Sequence, residues 1–290
     1  MFKILFFIML NIAVFGGFML AGGNLSTIWQ PAEFVIIIGA AISALLISVP
    51  MAVIKTTGQQ IKALWSKEQE DPDFYKELIC LTYELFNQLR LKGFKVLDEH
   101  IDEPETSELF SKYPAVLKQP QILQFLADNL RIQSMAKISP HDLAHLMDEE
   151  IEQQEADMMR PSEVLFKIGE ACPGFGIMAA VMGIIIAMGF LDGALSMIGV
   201  KVGAALVGTF VGIYLCYALL HPISSALEHM VQMRIARYKA LAKMITYFAK
   251  DKPPLLAVDA GRRQIQTENR PSFIEMEQWL VAPSETPVNE

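Results

Sequence analysis

Few residues of this chain stand at spacings that could do chemistry. His141 and His145 are four apart near Asp148 and Glu149, which is formal metal-ligand spacing. The zinc-protease pattern needs Glu directly after the first His, and Asp142 is one methylene short of that role, so solvated helix residues are the better explanation. The glycines cluster within apolar runs and leave no loop to cradle a phosphate. No Ser/His/Asp or Cys/His arrangement stands out beyond chance, so no catalytic residue, metal ligand or cofactor is assigned and an enzyme is not expected. Two other sets say more. Arg90, Lys92 and Lys95 stand near Gly93, followed by Asp98, Glu99, Asp102 and Glu103. Adjacent patches of opposite sign suit pairing with a complementary charged surface, although an ordinary solvated helix pair has the same composition. Thr209 is a lone hydroxyl in an apolar run, fit either to bond its own backbone or to help hydrate or relay an ion. The run Asp148, Glu149, Glu150, Glu152, Glu155, Asp157 reads as a solvated face.

The elements that must position these residues are set by clumped hydrophobicity. The chain has 290 residues, 52% of them hydrophobic, and four runs are long enough to cross a bilayer: about 4–22, 34–54, 172–191 and 202–220. A second span follows the first too closely for a signal peptide, so the first is expected to be retained. Segment 23–33 has no basic residue and the 192–201 turn has only Lys201, whereas Lys55, Lys62 and Lys67 follow the second run and Arg234, Arg237 and Lys239 follow the fourth. The positive-inside rule therefore predicts cytoplasmic termini and a cytoplasmic middle region. The layout is two spans in 1–54, a helical cytoplasmic domain in 55–168, two spans in 169–222 and a cytoplasmic helix and tail in 223–290. The expected fold is all-α. Cys80, Cys172 and Cys216 imply no disulfide framework, and a formal charge of −8 argues against a nucleic-acid partner.

Pro173 opens the third run and Pro222 closes the fourth, which predicts two bendable entrances rather than a passive anchor. None of the runs has Asp, Glu, Lys or Arg at mid-depth, where an ion pathway normally needs an ionisable group. They offer instead Ala179, Ala180, Gly183 and Ala187, then Gly203, Gly208 and Gly212. Such faces serve either packing between the chain's own helices or reception of a helix from another chain that brings the missing acid. In the middle region Phe74, Leu78, Leu81, Leu85 and Leu89 recur at helical spacing up to Gly93, with a short helix expected at Phe94, Leu97 and Ile101. Ile122, Phe125, Leu126 and Leu130 mark another helix. Ser139-Pro140 caps one carrying Leu143, Leu146, Met147 and Ile151 on one face. Leu227, Met230, Val231 and Ile235 continue a helix to Pro253-Pro254, and the last ten or so residues read as disordered.

Taken together the chain resembles the MotA/PomA family, the larger stator subunit of the bacterial flagellar motor. The resemblance rests on Gln30-Pro31-Ala32-Glu33, on Leu146 to Glu152, on Pro173-Gly174-Phe175-Gly176-Ile177, on Val207-Gly208-Thr209-Phe210 and on Arg270 to Glu275. It implies an inner-membrane ring, expected to be a pentamer, around a MotB-like partner whose membrane helix carries the ion-binding aspartate. It also implies a cytosolic domain that pushes on the rotor protein FliG. Arg90 falls on the family's rotor-contacting arginine. Asp98 falls where the family usually has glutamate, with Glu99 able to take over, and Glu150 matches a further acidic position. Pro173 and Pro222 match the two coupling prolines, and Thr209 matches a threonine found across the family. Sodium-driven members resemble one another in a threonine seven residues after the first proline; this chain has Ala180 there, so H+ is the expected coupling ion. A sodium-driven PomA-type stator and an ExbB/TolQ-like energy transducer are the alternatives.

Overall fold

The computed structural model describes residues 2–65, 72–95, 107–135, 138–191 and 195–281, and the regular elements among them are all helical. In chain order the helices are α1 (Phe2–Leu20), α2 (Leu25–Ile28), α3 (Pro31–Ser48), α4 (Met51–Trp65) and α5 (Phe74–Lys92). There follow α6 (Pro114–Leu117), α7 (Pro120–Met135), α8 (Pro140–Met188) and α9 (Leu195–Tyr214). A π-helical turn (Leu215–Leu220) leads into α10 (His221–Ala249), and α11 (Pro254–Arg262) and α12 (Phe273–Val281) complete the fold. The chain divides into a unit of Met1–Leu64 with Met159–His229 and a unit of Trp65–Met158 with Met230–Glu290.

Three helical stretches are long and apolar enough to cross a membrane: Pro31–Ser48, a part of Pro140–Met188, and a part of the continuous rod Ser196–Ala249. The apolar helix Ile4–Leu20 falls just short of that length. Large apolar side chains such as Ile8, Ile12, Val35, Ile185 and Leu206 stand exposed on these helices, as lipid or a neighbouring chain requires and water does not.

Prolines place the helix boundaries differently from the hydropathy runs. The second run does not continue to residue 54: α3 stops at Ser48, because Pro50 forces Val49 into extended backbone at φ −131° and ψ 132°. Pro173 does not open a helix, nor does Pro161; both lie inside the unbroken 49-residue α8. Pro222 likewise closes nothing. The π-turn before it, in which the His221 N–H donates to the Cys216 carbonyl, lets the rod pass through the proline into α10.

The second unit is built on apolar faces. Phe74, Leu78, Leu81, Leu85 and Leu89 of α5 are buried, as are Ile122, Phe125, Leu126 and Leu130 of α7. Leu143, Met147 and Ile151 of α8 and Met230, Val231 and Ile235 of α10 are buried too, as is Leu227 of α10 in the first unit, whereas Leu146 is 45% exposed. Leu146 lies next to Met147 and turns about 100° away from it around the helix, which takes it off the buried stripe. Phe86 stacks on Phe248 with ring centroids 4.1 Å apart. Gly93, at φ 77°, ends α5 where a side chain would be strained. Ser139 caps α8, its Oγ accepting from the Asp142 N–H at 3.1 Å. The short helix expected near Phe94 and the tail after Val281 fall mainly or wholly outside the described residues.

The Arg270–Glu275 motif proves to be an anchor. Ser272 and Glu275 form a reciprocal capping box that starts α12. The buried Arg262 donates to the Pro271 carbonyl at 2.9 Å and to Asp259 Oδ1 at 2.7 Å, while Arg263 donates to Asp259 Oδ2 at 2.8 Å. Burial by itself would raise the Asp259 carboxyl, but the bonds from Arg263 and Arg262 outweigh it and hold the group below its ordinary value. A depressed carboxyl contributes stability above its unfolded value and loses it as pH falls through the folded value. Asp259→Asn leaves Arg262 buried without a counter-charge and should cost about 3 kcal/mol. The check is a lower melting temperature of the full chain in detergent at neutral pH, with the gap to wild type closing in acid.

Candidate functional site

The membrane unit is organised by a close antiparallel pairing of α8 and α9. Its register is readable from the small residues: Gly183 meets Ala205, Ala179 meets Gly208, Gly176 meets Gly208 and Gly212, and Cys172 meets Gly212. A methyl added at Gly176 would lie 2.7 Å from the Gly208 carbonyl oxygen, and one at Gly212 would lie 2.5 Å from the Cys172 carbonyl oxygen. No side chain fits there. Of the two uses open to these residues, the structure realises packing between the chain's own helices. Gly203 is different: nothing surrounds it, and it lines a 720 Å³ cavity together with Thr27, Gln30 and Ser196.

Helix α3 lies along this pair and buries a single stripe, Glu33, Ile37 and Ala41, at successive four-residue steps. Ile37 packs with Ala179 and Val211, and Ala41 packs with Cys172 and Cys216. Glu33 enters the same groove between Gly183 and Gly208. It is only 6% exposed, and its Oε2 has no hydrogen-bond partner. In the sequence Glu33 ends the Gln30-Pro31-Ala32-Glu33 motif just outside the second apolar run, where an acid in a first helical turn ordinarily answers the helix dipole. Nothing in the local pattern marks it as buried.

Of the residues expected from the sequence to line or couple an ion path, Ala180 and Pro173 fall on α8, Thr209 on α9 and Pro222 on α10. Ala180 is 9% exposed on α8, and Thr209 is half-buried beside Gly208, its hydroxyl without a hydrogen-bond partner among the described residues. Pro173 is half-buried and Pro222 exposed. The structure brings the backbone around both prolines together through His221. A methyl at Gly169, one turn before Pro173, would lie 2.8 Å from the His221 ring. That ring stacks on Phe166 at 4.4 Å, and its Nε2 lies 3.6 Å from Cys216 Sγ. His221 had no role in the sequence reading, because its packing on Phe166 and Gly169 of α8 is a tertiary contact.

The charged candidates lie in the other unit. Arg90, exposed in the last turn of α5, donates to Asp251 Oδ1 at 2.9 Å and to the Asp251 carbonyl at 3.1 Å. Asp251 follows α10 in left-handed backbone at φ 57°, a conformation that aspartate tolerates. Its side chain is 94% exposed, so the pair is worth at most about 1 kcal/mol. Asp98 and Glu99 lie outside the described residues. Glu150 is exposed on α8, accepting from Asn129 at 3.4 Å and Gln154 at 3.3 Å. Burial, then the Glu150 charge, push the Tyr238 phenol up from its ordinary value.

The α8–α9 register yields a direct test. Gly212→Val should overpack the contact by about 1–3 kcal/mol and lower the amount of chain in the membrane fraction on an immunoblot. Gly203→Val, at an open position, should leave that amount unchanged.

Residues 4–93 match the model of the motility protein A N-terminal region, and residues 118–240 match the MotA/TolQ/ExbB proton channel family. The chain is 46% identical over 270 residues to chemotaxis protein LafT of Vibrio parahaemolyticus, covering 93% of this chain and 94% of that protein. It is 35% identical over 274 residues to motility protein A of Salmonella typhimurium, covering 93% and 91%. The fold is shared with a chain of the flagellar MotAB stator complex from Bacillus subtilis, with a TM-score of 0.73, 22% identity and coverage of 93% and 98%. It is shared equally with a chain of C. jejuni MotAB, with a TM-score of 0.73, 20% identity and coverage of 91% and 95%. With two consecutive family models along it and relatives this similar over nearly its whole length, the chain belongs to the motility protein A family.

Proposed function

We propose that the chain is the multi-span subunit of a flagellar motor stator, which with a MotB-like partner conducts an ion and converts its flow into torque on the rotor. The observation that carries this reading is similarity over 93% of the chain to a chemotaxis protein and to motility protein A, at 46% and 35% identity. In this reading several copies, expected to be five, ring the partner in the bacterial inner membrane, with both termini cytoplasmic. The partner's membrane aspartate supplies the ionisable group that the middle of the spans lacks.

The chain's own residues then have definable work. Thr209 offers a hydroxyl to the path, and Ala180 offers a methyl where a sodium cage would need oxygen, which favours H+ as the coupling ion. Protonation of a neighbouring carboxylate removes a charge next to α8 and α9, a local electrostatic event that needs a bistable element to become movement. Pro173 lacks the N–H that would bond one turn back, and the Leu215–Leu220 turn is already rewound to π geometry. These are the points at which the two helices bend at least cost. Arg90, with Asp98, Glu99 and Glu150, forms the charged set offered to FliG.

Complementation of a non-motile deletion strain tests the reading: the gene should restore swimming with or without sodium, and a protonophore should abolish it. Restored swimming that stops without sodium and ignores the protonophore would overturn the proton assignment. No rescue would overturn the stator reading. Arg90→Glu should abolish torque while the complex still assembles. Asp251→Asn frees Arg90 from its internal partner and should preserve swimming; loss of swimming in Asp251→Asn as well would make the pair a structural clasp rather than a rotor contact.

A further inference from the structure

Every carboxyl in a membrane unit has to be accounted for, and among the described residues Glu33 is the buried one whose surroundings do not account for it. Its side chain leaves the end of α3 and enters the groove between α8 and α9 instead of turning to solvent or capping its own helix. The slot depends on the missing side chain at residue 208, where a methyl would lie 2.7 Å from Oε2; Gly183 forms the other wall, and a methyl there would stand in ordinary contact with Oε1 at 3.5 Å. Oε2 is buried and nothing donates to it among the described residues.

The neighbouring titratable groups do not supply a counter-charge. On α8 the spanning part carries only Cys172, about two to three turns further along the groove, below Gly176 and Ala179. On α9 Lys201 stands seven residues before Gly208, about 10 Å along the axis, with its ammonium over the Phe190 ring at 6.0 Å. Tyr214 donates its hydroxyl to Asn11. Helix α3 has no second ionisable residue, and α2 has none.

A carboxylate placed in an apolar slot without a cation or a donor is costly, and the one change that relieves it without moving a helix is uptake of a proton. We propose that Glu33 is a proton-binding site of this chain's own membrane unit, a second exchangeable carboxyl besides the one the partner supplies. Its place in an ion path rests on the stator reading; its proton exchange does not. The exchange is a simple acid–base step. One carboxylate oxygen takes a proton from water or a neighbouring acid to give the neutral acid, and returns it to the next acceptor. Loss of charge lets the side chain sit in the slot between Gly183 and Gly208, and gain of charge drives it toward water at the end of α3. Glu33 would thus tie proton occupancy to how tightly α3 packs on the α8–α9 pair.

The experiment is infrared difference spectroscopy of the purified membrane complex between acidic and alkaline buffer, with swimming of the complemented strain measured alongside. The wild type should show the C=O stretch of a protonated carboxyl that disappears on alkalinisation. That band should be lost in Glu33→Gln, which keeps the shape of the neutral acid but exchanges no proton, and swimming should slow severalfold at unchanged complex abundance. If Glu33→Gln does not accumulate, carboxyl-labelled glutamate with Glu33→Asp replaces it: the label should shift the band in wild type and not in the variant. A spectrum unchanged in Glu33→Gln, or a band insensitive to the glutamate label, would overturn the inference while wild-type rescue of swimming left the stator reading intact. A Glu33-dependent band without wild-type rescue would do the reverse.

Discussion

The backbone-to-backbone approach of α8 and α9 is the contact on which the membrane unit depends. Outside water, helices gain nothing from hiding apolar surface from one another, so association rests on dispersion and shape. That makes closeness decisive. Gly176 and Gly212 bring main-chain atoms of the two helices to distances that even one methyl would forbid. The alanines and cysteines flanking them extend the same shallow profile in both directions. Helix α3 can then lie in the groove the pair creates, with Ile37 and Ala41 as its fillers. The polar exception, Glu33, occupies the part of that groove where Gly208 leaves room for it beside Gly183. One constraint, the absence of side chains at a few positions, thus fixes the helix register, the seat of α3 and the environment of the buried acid.

The same packing explains how two prolines are tolerated in the interior of long helices. Each removes a backbone hydrogen bond, and in isolation either would end or kink a helix. Here α8 runs unbroken through Pro173 because the groove contacts at Cys172 and Gly176 hold both sides of it. The rod carrying Pro222 absorbs its defect in the π-turn just before it. His221 joins the two defects by packing on Gly169 and Phe166 while lying beside Cys216. Weakened backbone on both helices meets at one side chain, a geometry in which bending of one is felt by the other.

The charged unit follows ordinary rules of soluble helices. Its core is a set of periodic apolar faces, and a buried charge cluster, Asp259 with Arg262, is bonded to itself and to the Pro271 turn that precedes α12. Arg90 sits outside this core in a pair that costs little to open, because Asp251 is almost wholly in water. An arginine held in orientation by a weak exposed partner is suited to exchanging that partner for another.

The sequence by itself determined the helical class, the apolar stretches and a stripe of buried residues on each of α5, α7, α8 and α10, because side-chain periodicity is a local property that burial reads directly. It left unnamed the flanking buried positions, such as Ile79, Phe86, Leu123 and most of α10 after Ile235. It also determined the family, since residues such as Pro173 and the glycines must be particular types wherever they occur. It did not determine how the helices meet proline: hydropathy is blind to backbone geometry, so the run carried to residue 54 breaks after Ser48, and Pro173, at the edge of the third run, lies inside α8. Nor could it separate Gly203, which is open, from Gly208, which is not, because the two differ only in what faces them. Leu146 beside Met147, Asp251 beneath Arg90 and Glu33 between two glycines were decided in the same way. Each depends on a neighbour distant in the chain, and only the tertiary structure supplies that neighbour.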